Sequence, residues 1–243
     1  MDQAINNNFI SPFSFIDHKW EIMWIQIPSA TKYDKPNENR SEKENAALEA
    51  ISCVGVIGGL QLQYLFGLSR EHIKRMCEKH LLVRHTLYKT TQDGKSQEIP
   101  IYTVGRFGAN NMMPEYKDNY WIELDTKKVL KALLFFQFCQ LFKDIEIAPA
   151  PEPFTASIYL NDQLYYIYVE RDGLKDLTLY LKWKKNFKER IFVVTENIQY
   201  LKELEMFIEE QSLKLRAVVD EHLKKREFIL WHFNDKTREW ITS

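Results

Sequence analysis

The sequence predicts a protein of the α+β or α/β class, with a small helical head that carries a two-stranded hairpin and, after it, a domain built on a mixed central sheet. Three observations carry this. Between Ala46 and Gly108 lie three short helical runs, two of them closed by glycine, after which the apolar period changes to two. Next, "KKVLKALLFFQFCQLFK" is apolar on nearly every face, as a helix buried between other elements must be. Beyond Pro149, strand-like and helix-like runs alternate, which is the pattern of a partly parallel sheet with helices against it.

Residues 1–40 hold one strand and a linker. In "HKWEIMWIQI", Trp20, Ile22, Trp24 and Gln26 alternate with Glu21, Met23, Ile25 and Ile27. Both faces are partly apolar, so the strand is expected to be covered on each side and to add to a sheet edge within or between subunits. "YDKPNENRSEKEN" is charged and lacks apolar periodicity, the composition of a mobile linker or long loop.

Residues 41–108 form the head. Glu42 and Glu44 suit a helix N-terminus, Leu48, Ile51 and Val54 are in helical phase, and Gly58-Gly59 is expected to end that helix. "LQLQYLFG" is a short second helix stopped at Gly67, and Ser69 caps a third. There Ile73, Met76, Cys77 and His80 fall on one side, with Arg70, Lys74, Arg75 and Glu78 on the other. "VRHTLYK" and "IPIYTV" are strands joined through Asp93-Gly94.

Residues 109–148 connect the head to the rest through the buried helix, capped by Asp125 or Thr126. Residues 149–243 form the second domain. "FTASIYL" and "QLYYIYVE" make a hairpin around Asn161-Asp162, "LKDLTLYLKWKKNF" is a helix with Trp183 in the core, and "RIFVVT" is a strand. "IQYLKELEMFIEEQS" is a helix whose acidic face is exposed, and "LRAVVD" and "EFILWHF" are further strands.

The order of the head, with its capped third helix, "LL" exit and "YTVGRFG" ending, resembles a winged helix-turn-helix domain. Taken with "YYIYVERDG", "LYLKWKKNF" and "RIFVVTENIQYLKEL" in the second domain, it is similar to the plasmid replication-relaxation family over roughly residues 45–220. The resemblance implies a protein of a bacterial plasmid or phage. Its second domain would resemble the restriction-endonuclease fold. An active nuclease of that fold needs carboxylates that hold a divalent metal through oxygen, and a lysine close by. Here "PFTASIYL" offers no carboxylate, and Glu170 is followed by Arg171 and Asp172 without a lysine two residues on. Glu170, Arg171 and Asp172 are therefore expected to be a solvated strand end. A rearranged site that uses Glu170, Asp172 and Lys182 stays open.

Charge points the same way. From Leu68 to Gly108 eight cations face four carboxylates, although the whole chain carries a net charge of −1. Charge sorted by region favours contact with double-stranded DNA in this segment. Lys and Arg supply salt-dependent affinity through phosphates, while the start of the third helix reads base edges. The candidate residues are Ser69, Arg70, Lys74, Arg75, Lys79 and Arg84, with Lys89, Gln92 and Lys95 on the wing. Lys182, Lys185 and Lys188 form an auxiliary basic stretch, more simply a solvated helix end. Such readers act as dimers, so a homodimer is expected, with a replication or regulatory protein as a further partner. A protein-only adaptor is the other alternative.

Near-zero net charge excludes a wholly basic coat protein. Cys53, Cys77 and Cys139 make no Cys-x-x-Cys pair and read as reduced, packed thiols. His72, His80 and His85 read as helix-surface and wing residues rather than ligands. No glycine loop for phosphate, no nucleophile elbow and no zinc spacing is present, so no cofactor and no metal are expected. The start of the chain is not a signal peptide, and its longest apolar run is too short for a membrane span. The expectation is a cytoplasmic protein without membrane contact.

Overall fold

The computed structural model of the chain describes residues 9–28, 39–109, 112–184 and 187–242. Within them the protein is a mixed α+β structure, with a four-stranded antiparallel sheet and its helices followed by a seven-stranded mixed sheet and its helices.

The first strand, β1 (His18–Met23), pairs antiparallel with β3 (Leu82–Thr91), Ile22 opposite Leu87. It does add to a sheet edge within the subunit, but only one face is covered. Trp20 and Ile22 pack inward, whereas Lys19, Glu21 and Met23 stay exposed. The second face opens because no layer of the described residues lies beyond it, and alternation alone does not reveal that. Residues 29–38, which include the first six residues of the expected linker, lie outside the described residues, and its last four, from Glu42 to Asn45, belong to helix rather than to a loop.

Helix α1 (Glu42–Val54) starts at the acidic turn of Glu42 and Glu44, as expected from the sequence, and Ser41 and Glu44 form a reciprocal capping box there. It stops at Gly55, whose φ of 103° requires glycine, ahead of the Gly58-Gly59 pair. That pair instead lies in the two-residue strand β2 (Ile57–Gly58) and opens α2 (Gly59–Phe66), which ends on left-handed Gly67. The capped third helix is α3 (Arg70–Glu78). The long hairpin of β3 and β4 (Ser96–Val104) follows, and β2 pairs with the far side of β4, giving the order β1-β3-β4-β2.

Helix α4 (Thr126–Cys139) is capped by Asp125, which accepts from the Lys128 N–H at 2.7 Å. Nine of its residues are buried. One apolar cluster runs from Leu48 and Ile51 of α1 through Phe135 and Phe138 of α4 to Phe192 and Val218 of the second sheet. The helix is therefore held on both sides, which explains its apolar circumference.

In the second sheet, β5 (Glu146–Ala148), β6 (Ala156–Leu160) and β7 (Gln163–Val169) form an antiparallel meander. Asn161 and Asp162 both take positive φ at the β6–β7 turn, as a two-residue hairpin loop demands. Helix α5 (Lys175–Trp183) crosses to β8 (Arg190–Thr195), parallel to β7. A 3-10 turn (Ile198–Leu204) and α6 (Glu205–Gln211) cross to β9 (Lys214–Val219), again parallel. A short α7 (Asp220–Lys225) leads to the antiparallel pair β10 (Trp231–Asn234) and β11 (Glu239–Thr242). Trp183 is not core: it is 77% exposed, because Leu174, Leu177 and Leu181 supply the buried face of that segment. Among the described residues, no helix is long and apolar enough to cross a membrane.

Candidate functional site

Helix α3 carries most of the candidate residues, and its caps explain its position. The Ser69 hydroxyl accepts from the His72 N–H at 3.2 Å, closing the first turn. His72 in turn meets Glu44 at 3.0 Å, so the starts of α1 and α3 are joined. Burial works to raise the Glu44 pKa, but the Ser41 N–H and His72 outweigh it and hold the carboxyl below its ordinary value. Ile73 and Met76 anchor the helix in the core.

The remaining faces of α3 separate its cations. Arg70, Lys74 and Cys77 line a cleft of about 750 Å³, whereas Arg75 and Lys79 are exposed elsewhere. Arg84 of β3 and Glu98, Pro100 and Tyr102 of β4 form another wall. Leu223 and Lys224 of α7 and Arg226 just beyond it close the cleft from the second sheet. Five cations (Arg70, Lys74, Arg84, Lys224 and Arg226) thus face one carboxylate, Glu98. Lys74 lies 3.8 Å from Glu78, a solvated helix pair of little strength. Burial pushes the Cys77 thiol up to about 11, which keeps it protonated and unreactive.

The wing candidates are placed differently. Lys89 is turned inward, its Nζ donating to the Pro12 carbonyl at 2.8 Å and standing over the Trp20 ring. Burial, helped by the charge of Lys224, lowers its pKa. Gln92 reaches Asp17 at 3.3 Å, and Lys95 pairs with Asp93 at 2.7 Å on the exposed tip. Lys182 and Lys188 are exposed, while Lys185 lies outside the described residues.

The histidines divide too. His80 is exposed, but His85 is a core residue rather than a surface one. Its Nδ1 accepts from the Ile25 N–H at 2.9 Å, which leaves Nε2 to donate to Thr103 at 2.9 Å. Burial lowers its pKa to about 3.

No family model matches the chain, and no curated protein matches it.

A second polar centre lies at the carboxyl ends of the parallel strands β7, β8 and β9, where open α/β sheets place ligands. Glu170 and Arg171 are buried there, correcting the solvated strand end expected from sequence. Glu170 accepts from Thr195 Oγ1 and from the Gly173 N–H, each at 3.0 Å. Arg171 Nη2 donates to both oxygens of Asp220, which also accepts from Ser11. Glu196 lies 3.9 Å from Arg171 Nε, and burial raises its pKa despite that guanidinium. Asp172 is partly exposed and bridges Lys127 and Lys131 of α4 at 3.2 and 3.0 Å. Among the described residues, no three His, Cys, Asp or Glu side chains are grouped to hold a metal ion. The Arg171 guanidinium lies against Asp220 and Glu196.

Sequence reasoning missed Arg171, Asp220 and Ser11, whose association spans most of the chain. It also missed Lys224 and Arg226, although "LKKREF" shows three consecutive cations.

Proposed function

We propose that this protein binds double-stranded DNA through its head, as a non-enzymatic component of a bacterial plasmid or phage acting in replication, maintenance or transcriptional control in the cytoplasm. The observation that carries the reading is the five-cation cleft beside the capped helix α3. Helix, two-residue strand, two helices and hairpin follow one another, with β2 on the far side of β4, and this arrangement resembles a winged helix. In that fold the capped helix enters the major groove, and cations around it contact phosphates.

On this reading Arg70 and Lys74, at the start of α3, reach base edges and Arg84 supports the backbone. Arg75 and Lys79 contribute to the surrounding field. The second sheet resembles a restriction-endonuclease fold in its meander, crossover helix and parallel strand. Its Asp220 carboxylate is taken up by Arg171, which favours a structural role in self-association or partner binding. A homodimer would present two heads to paired half-sites and multiply affinity.

The test is binding to DNA fragments from the protein's own genetic neighbourhood, titrated with salt, for wild type and Arg70→Ala/Arg84→Ala. Tight binding to one fragment, lost in the variant, supports the reading. Equal binding by both proteins, or none by either, overturns it in favour of an adaptor that contacts only protein. Magnesium-dependent cleavage that disappears in Glu170→Ala would establish the nuclease alternative instead.

A further inference from the structure

We infer that the end of α7, through Lys224 and Arg226, forms a second contact for the phosphate backbone of the same duplex, so that the binding surface is shared between the head and the second sheet. The inference rests on the DNA-binding reading above.

Three observations lead to it. First, Lys224 and Arg226 line the cleft opposite Arg70 and Arg84, and among the described residues none of these four lies in an ion pair with a carboxylate. Lys225, between them, does not line the cleft and is tied to Glu221 at 2.7 Å. The short helix thus sorts its cations, two toward the cleft and one into a local pair. Second, the Arg226 guanidinium stands 4.4 Å from the ring centre of Tyr64, an exposed aromatic of α2. That contact holds the cation of one unit against the surface of the other. Third, α7 is fixed relative to the wing. Ser11 bonds Asp220, the first residue of α7, and the carbonyl of the next residue, Pro12, accepts from Lys89 of β3. Cations held in place before binding lose little freedom on contact.

A small anion would need two or three such groups. Five cations spread over the walls of one cleft match a polyanion instead, such as the backbone of a duplex.

The experiment measures binding of a labelled random-sequence duplex by full-length protein across a range of salt concentrations. The variant is Lys224→Gln/Arg226→Asn, with Asn chosen because residue 226 sits at a φ of 57°, a conformation Asn tolerates. Thermal melting establishes that the variant is folded. The control Lys202→Gln/Lys236→Gln removes two exposed lysines that do not line the cleft.

If both groups neutralise phosphates, the slope of log K against log salt becomes shallower by about 1.8 in the α7 variant, and affinity near 0.1 M salt falls roughly ten- to a hundredfold. The control retains the wild-type slope. A wild-type slope in the α7 variant, or an equal change in the control, overturns the inference and leaves the head reading intact provided Arg70→Ala/Arg84→Ala still loses binding. Tighter binding to the single strand than to the duplex overturns it by reassigning the occupant. Absence of duplex binding by the wild type fails the head reading itself.

Discussion

Arg171 aims Nη2 at both carboxylate oxygens of Asp220, at 2.7 and 2.6 Å, and the two side chains are 0% and 1% exposed. A buried pair of this kind contributes little relative to apolar residues of the same size, but losing one partner strands a charge in a dry interior. Arg171→Ala is therefore expected to lower unfolding free energy by about 3–5 kcal/mol, and Arg171→Met/Asp220→Leu to recover much of the loss. Urea denaturation of the three proteins checks this, and an unchanged midpoint for Arg171→Ala would sink it.

His85 gives a pH dependence whose sign is fixed. Its folded pKa, about 3, lies below the ordinary value of 6.5, so below 6.5 the unfolded chain takes up a proton that the folded chain refuses. This contribution is complete above pH 6.5 and is lost as pH falls toward 3, at about 1.4 kcal/mol per pH unit. The gap in stability between wild type and His85→Gln should narrow steadily from pH 7 to pH 4. A constant gap in urea midpoints would refute the assignment.

Gly108 allows close backbone packing. A Cβ there would fall 2.1 Å from the Leu81 carbonyl oxygen, an atom that cannot swing aside. Gly108→Ala should cost roughly 1–3 kcal/mol or more through overpacking. Gly94, in the hairpin turn, meets nothing within 4 Å, yet holds a φ of 80°. Gly94→Ala should cost only about 1 kcal/mol, from backbone strain alone. Melting temperatures that reverse this order would count against both explanations.

Removing residues 1–23 deletes β1, uncovers the outer edge of β3 and takes Ser11 from Asp220. Unpaired edges invite pairing with other chains. The truncated protein is expected to melt earlier and to self-associate, as read by light scattering. A monodisperse truncation with unchanged melting would show that the strand contributes little.

What sequence could reveal follows from how far apart the deciding atoms are. Gly67 at left-handed φ, the Ser69 cap and the Asn161-Asp162 turn depend on neighbours within four residues, and each was legible. Trp183 was legible too in principle: two positions after Leu181, a helix turns it some 200° from the buried face, although hydrophobicity alone suggested the core. Arg171 was not. Local rules put an arginine between two acids in water, and the partner that makes its burial tolerable lies 49 residues away. The cations of α3 were identified together, but the cleft separates Arg70 and Lys74 from Arg75 and Lys79. Helical phase already sets Arg75 and Lys79 well round the helix from Arg70, but which face meets a cleft depends on where α7 lies, and no pattern within residues 68–108 encodes that.

The bond between Ser11 and Asp220 joins residues 209 positions apart. During synthesis the segment that ends in β1 emerges early but has nothing to hold. Its strand partner arrives with residues 82–91, and its anchor on α7 only with residue 220. Contacts of such separation form slowly because a long loop must close before they repay it. The clasp between the wing and α7 is thus among the last parts to assemble, and any nascent chain that has not reached Asp220 carries the head without it.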